Sequence, residues 1–229
     1  MTADQAIGLA VSTLIEVAIL SGLIVRGRLG RCLAFTGYLT SVFVTTLLAL
    51  AQPEVYLQRV PWQRLQIVYA SLRHVMALEL AYHTFKAFPA ARRLARTFLW
   101  AMTFLALAAP FMFGSDLTDH DVVSFQVLPR MSLAAMGLFA GLGALILWFH
   151  LPIDPMHKAI IMGIVPYLLL YSALLTLTRD IGKDVLDWIN LLNTIAWNAL
   201  LIFWAWVAWR PRRADEGLAG LQTPSNSAS

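Results

Sequence analysis

A chain of 229 residues that is 59% hydrophobic and only 13% charged would expose too much apolar surface to stay monomeric in water, which excludes an ordinary soluble domain and makes lipid the consistent solvent. The net charge of +4 comes from arginines and lysines concentrated in alternate gaps between apolar stretches, a topological pattern and not a nucleic-acid footprint. The single cysteine, Cys32, excludes an intrachain disulfide, a CxxC redox pair and a thiolate metal cluster.

A membrane helix needs roughly 20 apolar residues to cross the hydrocarbon. Stretches of that kind occupy 5–25, 32–51, 65–86, 97–114, 131–149, 159–178 and 188–209. They predict an all-α fold, a polytopic integral membrane protein whose residues 1–213 form a bundle of seven transmembrane helices. The Gly-, Ser-, Ala- and Pro-rich segment 214–229 reads as a disordered cytoplasmic tail.

The first span is longer than a signal-peptide core, lacks a small-residue cleavage site and is expected to be retained. It carries Glu16 near its middle, where an unpaired carboxylate costs at least about 2.5–3.5 kcal/mol, so the group should be paired or protonated. Arg26, Arg28 and Arg31 follow. The second span offers Tyr38 and Thr45 to the bundle interior. In the connection after it, Tyr56 and Trp62 suit interfacial anchoring, as do Trp188, Trp204, Trp206 and Trp209 around the last span.

The third span is the most polar. Arg73 and His74 lie within about one turn of the depth of Glu16 and are its expected partners. Glu79, His83 and Lys86, at i, i+4 and i+7, share one face further along. The fourth span contains Pro110 and leads into an acidic loop, Asp116, Asp119, His120 and Asp121, expected to be solvated. The fifth carries Gly137 and Gly141 in GxxxG spacing, suited to close helix packing within the bundle or to a homodimer seam. His150, Asp154 and His157 around the next turn match no firm metal motif and read as interfacial residues. In the sixth span Pro166 should release the carbonyl of Met162, and Tyr167 and Tyr171 lie one turn apart. In the seventh, Asn190, Asn193, Thr194, Trp197 and Asn198 fall at helical spacing as one polar stripe, expected to face inward.

The chemistry can be narrowed. No lysine sits inside the last span to carry a retinal Schiff base. His74 and His83 are nine residues apart on one helix, which at about 100° per residue directs them apart and argues against haem. No hydrolase, zinc-protease, phosphate-loop or dinucleotide motif occurs, and no metal or cofactor is expected. The expected function is a noncatalytic membrane protein, either a small-ligand sensor or an accessory subunit, with a polar centre drawn from Glu16, Arg73, His74, Glu79, His83, Tyr167, Tyr171, Asn193 and Asn198. Its expected partners are the bilayer and another membrane protein or a second copy through Gly137/Gly141, without nucleic acid. The alternative is a small transporter or intramembrane enzyme using Glu16 or Glu79 with His74 or His83 for proton transfer.

Eleven basic residues (Arg26, Arg28, Arg31, Lys86, Arg92, Arg93, Arg96, Lys158, Arg210, Arg212, Arg213) lie on one side, against five (Arg59, Arg64, Arg130, Arg179, Lys183) on the other. The expectation is a bacterial inner (plasma) membrane protein with its amino terminus outside and its carboxyl terminus in the cytoplasm. A reporter fused after Trp209 should be active in the cytoplasm, and one in the 116–121 loop should report the outside; the reverse pattern would overturn this orientation.

Overall fold

The computed structural model describes residues 3–56, 58–85, 93, 96–97, 100–101, 104, 127–151, 153–181 and 186–210. Most of the fourth predicted span, Lys86, Pro110, the 116–121 loop and the 214–229 tail lie outside them. Among the described residues the regular structure is helical: α1 (Ala3–Val25), a 3₁₀ turn (Leu29–Arg31), α2 (Leu33–Ala51), short α3 (Pro53–Tyr56), α4 (Arg59–Phe85), α5 (Leu128–Trp148), α6 (Pro155–Ile181) and α7 (Leu186–Trp209). Five of these, α1, α2, α5, α6 and α7, are long and apolar enough to cross a membrane.

Local chemistry accounts for many of the boundaries. Gly27, at φ 60°, supplies the left-handed turn that ends α1 and that a Cβ would strain. Pro129 stands in the first turn of α5, where a missing N–H costs nothing. Asp154 caps α6, its Oδ1 accepting from the Met156 N–H at 2.8 Å, with Pro155 as the first helical residue. α4 starts at Arg59, well before the predicted boundary at 65: its first turn holds Pro61, where a proline is tolerated, and its polar residues Gln63, Arg64 and Gln66 conceal the helix from a reading based on apolar length. α6 runs continuously through Pro166. Pro166 and Met162 both lie on its exposed face, so the expected release of a carbonyl there does not bear on the interior.

The long helices pack as a closed ring in the order α1, α2, α4, α5, α6, α7 and back to α1. Trp204 is fully buried and is therefore a core residue, not the interfacial anchor expected from its position. Its indole N–H donates to the Ala159 carbonyl at 3.2 Å, and the Phe35 ring meets it edge-on at 5.0 Å. This contact ties α7 to both α6 and α2. Gly163 makes room for it, since a Cβ there would stand 3.0 Å from Trp204 Nε1 and 2.5 Å from Leu200 Cδ1. Gly137 and Gly141 are half-buried on α5.

At the ring's basic end, arginines from the α1–α2 connection close the carboxyl terminus of α7. Buried Arg28 donates through Nη1 to the Val207 carbonyl at 2.9 Å and through Nη2 to the Arg210 carbonyl at 3.1 Å. Arg26 Nη2 reaches the Trp209 carbonyl at 3.0 Å, while the Trp209 indole donates back to the Ala18 carbonyl at 2.9 Å. Cations at a helix carboxyl end satisfy orphan carbonyls and complement its dipole. Arg31 instead reaches Asp154 at 3.7 Å from a largely exposed position. These two arginines count equally toward topology and differ in structural weight. Arg28→Met should lower unfolding stability by about 1–3 kcal/mol, since it strips donors from buried carbonyls, whereas Arg31→Met should change it by less than about 1 kcal/mol. Thermal unfolding in detergent checks both; equal effects would contradict the assignment.

Candidate polar centre

The interior is built around Arg73. Gln66, Tyr69 and Arg73 follow one another at i, i+3 and i+7 on α4, so they share a face. Arg73 is only 3% exposed. Its Nε and Nη2 both point to one acceptor, the Tyr38 hydroxyl of α2, at 3.4 Å each. The guanidinium lies 5.7 Å from the Tyr38 ring centroid and 5.8 Å from that of Tyr171 on α6, within cation–π range. Tyr167 and Tyr171 stack at 6.1 Å, Trp197 of α7 packs on Tyr167 at 5.3 Å, and Tyr69 meets Tyr38 edge-on at 6.1 Å. Four helices thus contribute an aromatic box, and a protein cation sits in it.

Hydrogen bonding in the box is thin. Tyr171 donates to Gln66 Oε1 at 3.4 Å and Tyr167 to Asn193 Oδ1 at 3.5 Å, both beyond the usual O–H···O range of about 2.5–3.0 Å. No described acidic side chain forms an ion pair with Arg73; the described ion pairs are Arg31–Asp154 and Glu79–His83. A guanidinium has five N–H donors and keeps its charge, so one neutral hydroxyl at 3.4 Å leaves this one under-satisfied.

Other predicted site residues fall elsewhere. The expected contact between Glu16 and Arg73 or His74 is not formed: Glu16 is fully buried on α1, and neither of its oxygens has a hydrogen-bond partner. In the ring α1 packs mainly on α2 and α7, whereas α4 packs mainly on α2 and α5. His74 uses Nδ1 on the Ala70 carbonyl of its own helix at 2.7 Å, and its Nε2 has no partner.

The α7 stripe divides, since it spans too wide an arc to face one neighbour. Asn193 turns to Tyr167 on α6. Asn198 turns to α1, where its Oδ1 lies 2.9 Å from Ser12 Oγ, and its Nδ2 donates to the Thr194 carbonyl at 2.9 Å. The Ser12 hydroxyl also lies 3.0 Å from the Gly8 carbonyl, so its single proton serves either acceptor. Asn190 and Thr194 are exposed, contrary to the inward expectation.

Glu79 belongs to the basic end. Its two oxygens accept the Leu33 and Ala34 backbone N–H groups at 2.7 and 2.6 Å, so α4 supplies the amino-terminal cap that α2 lacks locally. His83 Nε2 is 4.0 Å from Glu79, and its ring lies 5.7 Å from that of His157, which contacts the Arg31 carbonyl at 2.9 Å through Nε2. Spacing within one helix could suggest the Glu79–His83 pair. It could not bring His157 to them, nor Tyr38 to Arg73, because those meetings depend on how the ring closes. Among the described residues no group of three or more His, Cys, Asp or Glu side chains is placed to hold a metal ion.

Comparison with protein-family models, curated proteins and solved structures finds no match.

Glu79→Gln should cost about 1–3 kcal/mol of stability, because an amide oxygen can accept from one backbone donor while its NH2 confronts the other. His83→Ala should cost less than about 1 kcal/mol, as its ion pair is partly exposed. Unfolding curves for the two variants test this; a larger loss from His83→Ala would contradict the capping role.

Proposed function

We propose that the chain is a noncatalytic integral membrane protein with seven transmembrane helices. In this reading it sits in a plasma (bacterial inner) membrane, amino terminus outside and carboxyl terminus cytoplasmic. It binds a small ligand at the Arg73 centre and reports occupancy to a membrane partner, as a sensor or accessory subunit. The five apolar helices and the one-sided distribution of basic residues support the setting. The observation that carries the ligand-binding role is the under-satisfied guanidinium, 3% exposed, with a single neutral acceptor among the described residues, at 3.4 Å.

The distances around Arg73 are longer than those that join helices at the basic end, where Glu79 accepts at 2.6–2.7 Å. Taking a charge out of water costs several kcal/mol, and an imperfect partner does not recover it. The proton-transfer alternative has less support at Glu79, whose two oxygens are engaged by backbone amides.

The test follows from that cost. Replacing buried ion pairs or triads by apolar side chains of similar volume is often neutral or stabilising by about 1–4 kcal/mol, and a lone ion without a counter-charge has still less attraction to lose. Purified ligand-free Arg73→Met should therefore unfold at the same or a higher temperature than the wild type. A marked drop in unfolding temperature would make Arg73 a structural keystone and remove the ligand-binding reading.

A further inference from the structure

Resting on the reading of Arg73 as a ligand-binding group, we propose that the site takes a small organic monocarboxylate, its carboxylate on the Arg73 fork and its apolar body against the rings of Tyr167, Tyr171 and Trp197. Three features fix the class. The first is sign. An aromatic box of this kind would suit a cationic ligand, but the protein's own guanidinium is within 5.8 Å of two of its rings and would repel a second cation.

The second is magnitude. Arg73 is the one Lys or Arg side chain that the described contacts bring to these rings, and the other polar groups, Tyr38, Tyr167, Tyr171, Gln66 and Asn193, are neutral hydroxyls and amides. One cation offsets one negative charge, which disfavours a phosphate monoester carrying about −1.5 to −2. The third is shape. Tyr38 and Tyr171 lie near the guanidinium, and its planar array of N–H groups matches a carboxylate in bidentate fashion. The long donor–acceptor distances of 3.4–3.5 Å around Tyr38, Tyr171 and Tyr167 can shorten onto a charged acceptor, as polar contacts in ligand-free sites commonly do. The aromatic walls suit an apolar body.

The experiment measures thermal unfolding of the full chain in lipid nanodiscs. Benzoate and octanoate are compared with benzamide, benzylamine, phenyl phosphate and chloride, in the wild type and in Arg73→Met, Arg73→Lys and Tyr171→Phe. The expected result is saturable protection by benzoate, octanoate or both, and none by the neutral, cationic or phosphate analogues or by chloride. The apparent affinity should fall by about 30-fold or more in Arg73→Met and by about 2- to 10-fold in Tyr171→Phe. Arg73→Lys should also bind weakly, since it keeps the charge and loses the fork. Protection by octanoate alone identifies a bilayer-borne acid, and by benzoate alone a water-borne aromatic one; both support the class. Protection by benzamide, benzylamine, phenyl phosphate or chloride equal to that by the carboxylates overturns it, as does carboxylate protection that survives unchanged in Arg73→Met and Arg73→Lys. Absence of protection by either acid also overturns it. If ligand-free Arg73→Met is nevertheless as stable as the wild type, the ligand-binding reading stands and only the class is wrong.

Discussion

A polar group removed from water must find a partner inside the protein, and this bundle meets that requirement unevenly along its length. At the basic end, helix termini are closed by side chains from other helices: Arg28 and Arg26 on the carbonyls of α7, Glu79 on the amides of α2. These bonds are short, and each joins elements that are remote in sequence. In the middle, a buried arginine faces one tyrosine hydroxyl, that of Tyr38, at the limit of hydrogen-bonding distance. The contrast between short bonds at the basic end and the long ones in the centre underlies the functional reading, although Arg28 Nε at the basic end is itself buried without a partner among the described residues.

The ring arrangement produces that contrast. Among the described residues the main packing of the long helices runs round this ring, and α7, between α1 and α6, must serve both. It does so by dividing its polar residues, Asn198 toward Ser12 and Asn193 toward Tyr167, while Trp197 turns to the aromatic box and Trp204 anchors the core one to two turns further along. The same separation keeps Glu16 from Arg73. An acid and a base that could have neutralised each other lie without an ion pair, and the charge of the base remains to be compensated.

Much of the fold was legible because apolar length is a strong signal. The stretches predicted at 32–51 and 188–209 became Leu33–Ala51 and Leu186–Trp209, a shift of no more than two residues at either end. α4 was harder, since its polar start from Arg59 resembles a connection until Tyr69, Arg73, Met76 and Leu80 are seen to bury a common face. The candidate centre was legible in its parts and not in its pairing. Arg73, Tyr167, Tyr171 and Asn193 stand out as polar residues in apolar helices, but depth along a helix does not say which neighbour a side chain faces. The expected Glu16–Arg73 contact failed for that reason. Glu79 as a cap for α2 was equally hidden, because local capping rules look three or four residues along the same helix and this cap comes from another one.

The most direct measurement of the central claim is an experimental structure of the protein extracted with its native lipid and held in nanodiscs, at a resolution that shows small bound molecules. The account predicts non-protein density against the Arg73 guanidinium, bordered by Tyr38, Tyr171 and Trp197. A guanidinium saturated by protein groups alone, with the Glu16 carboxylate turned onto it, would contradict the account.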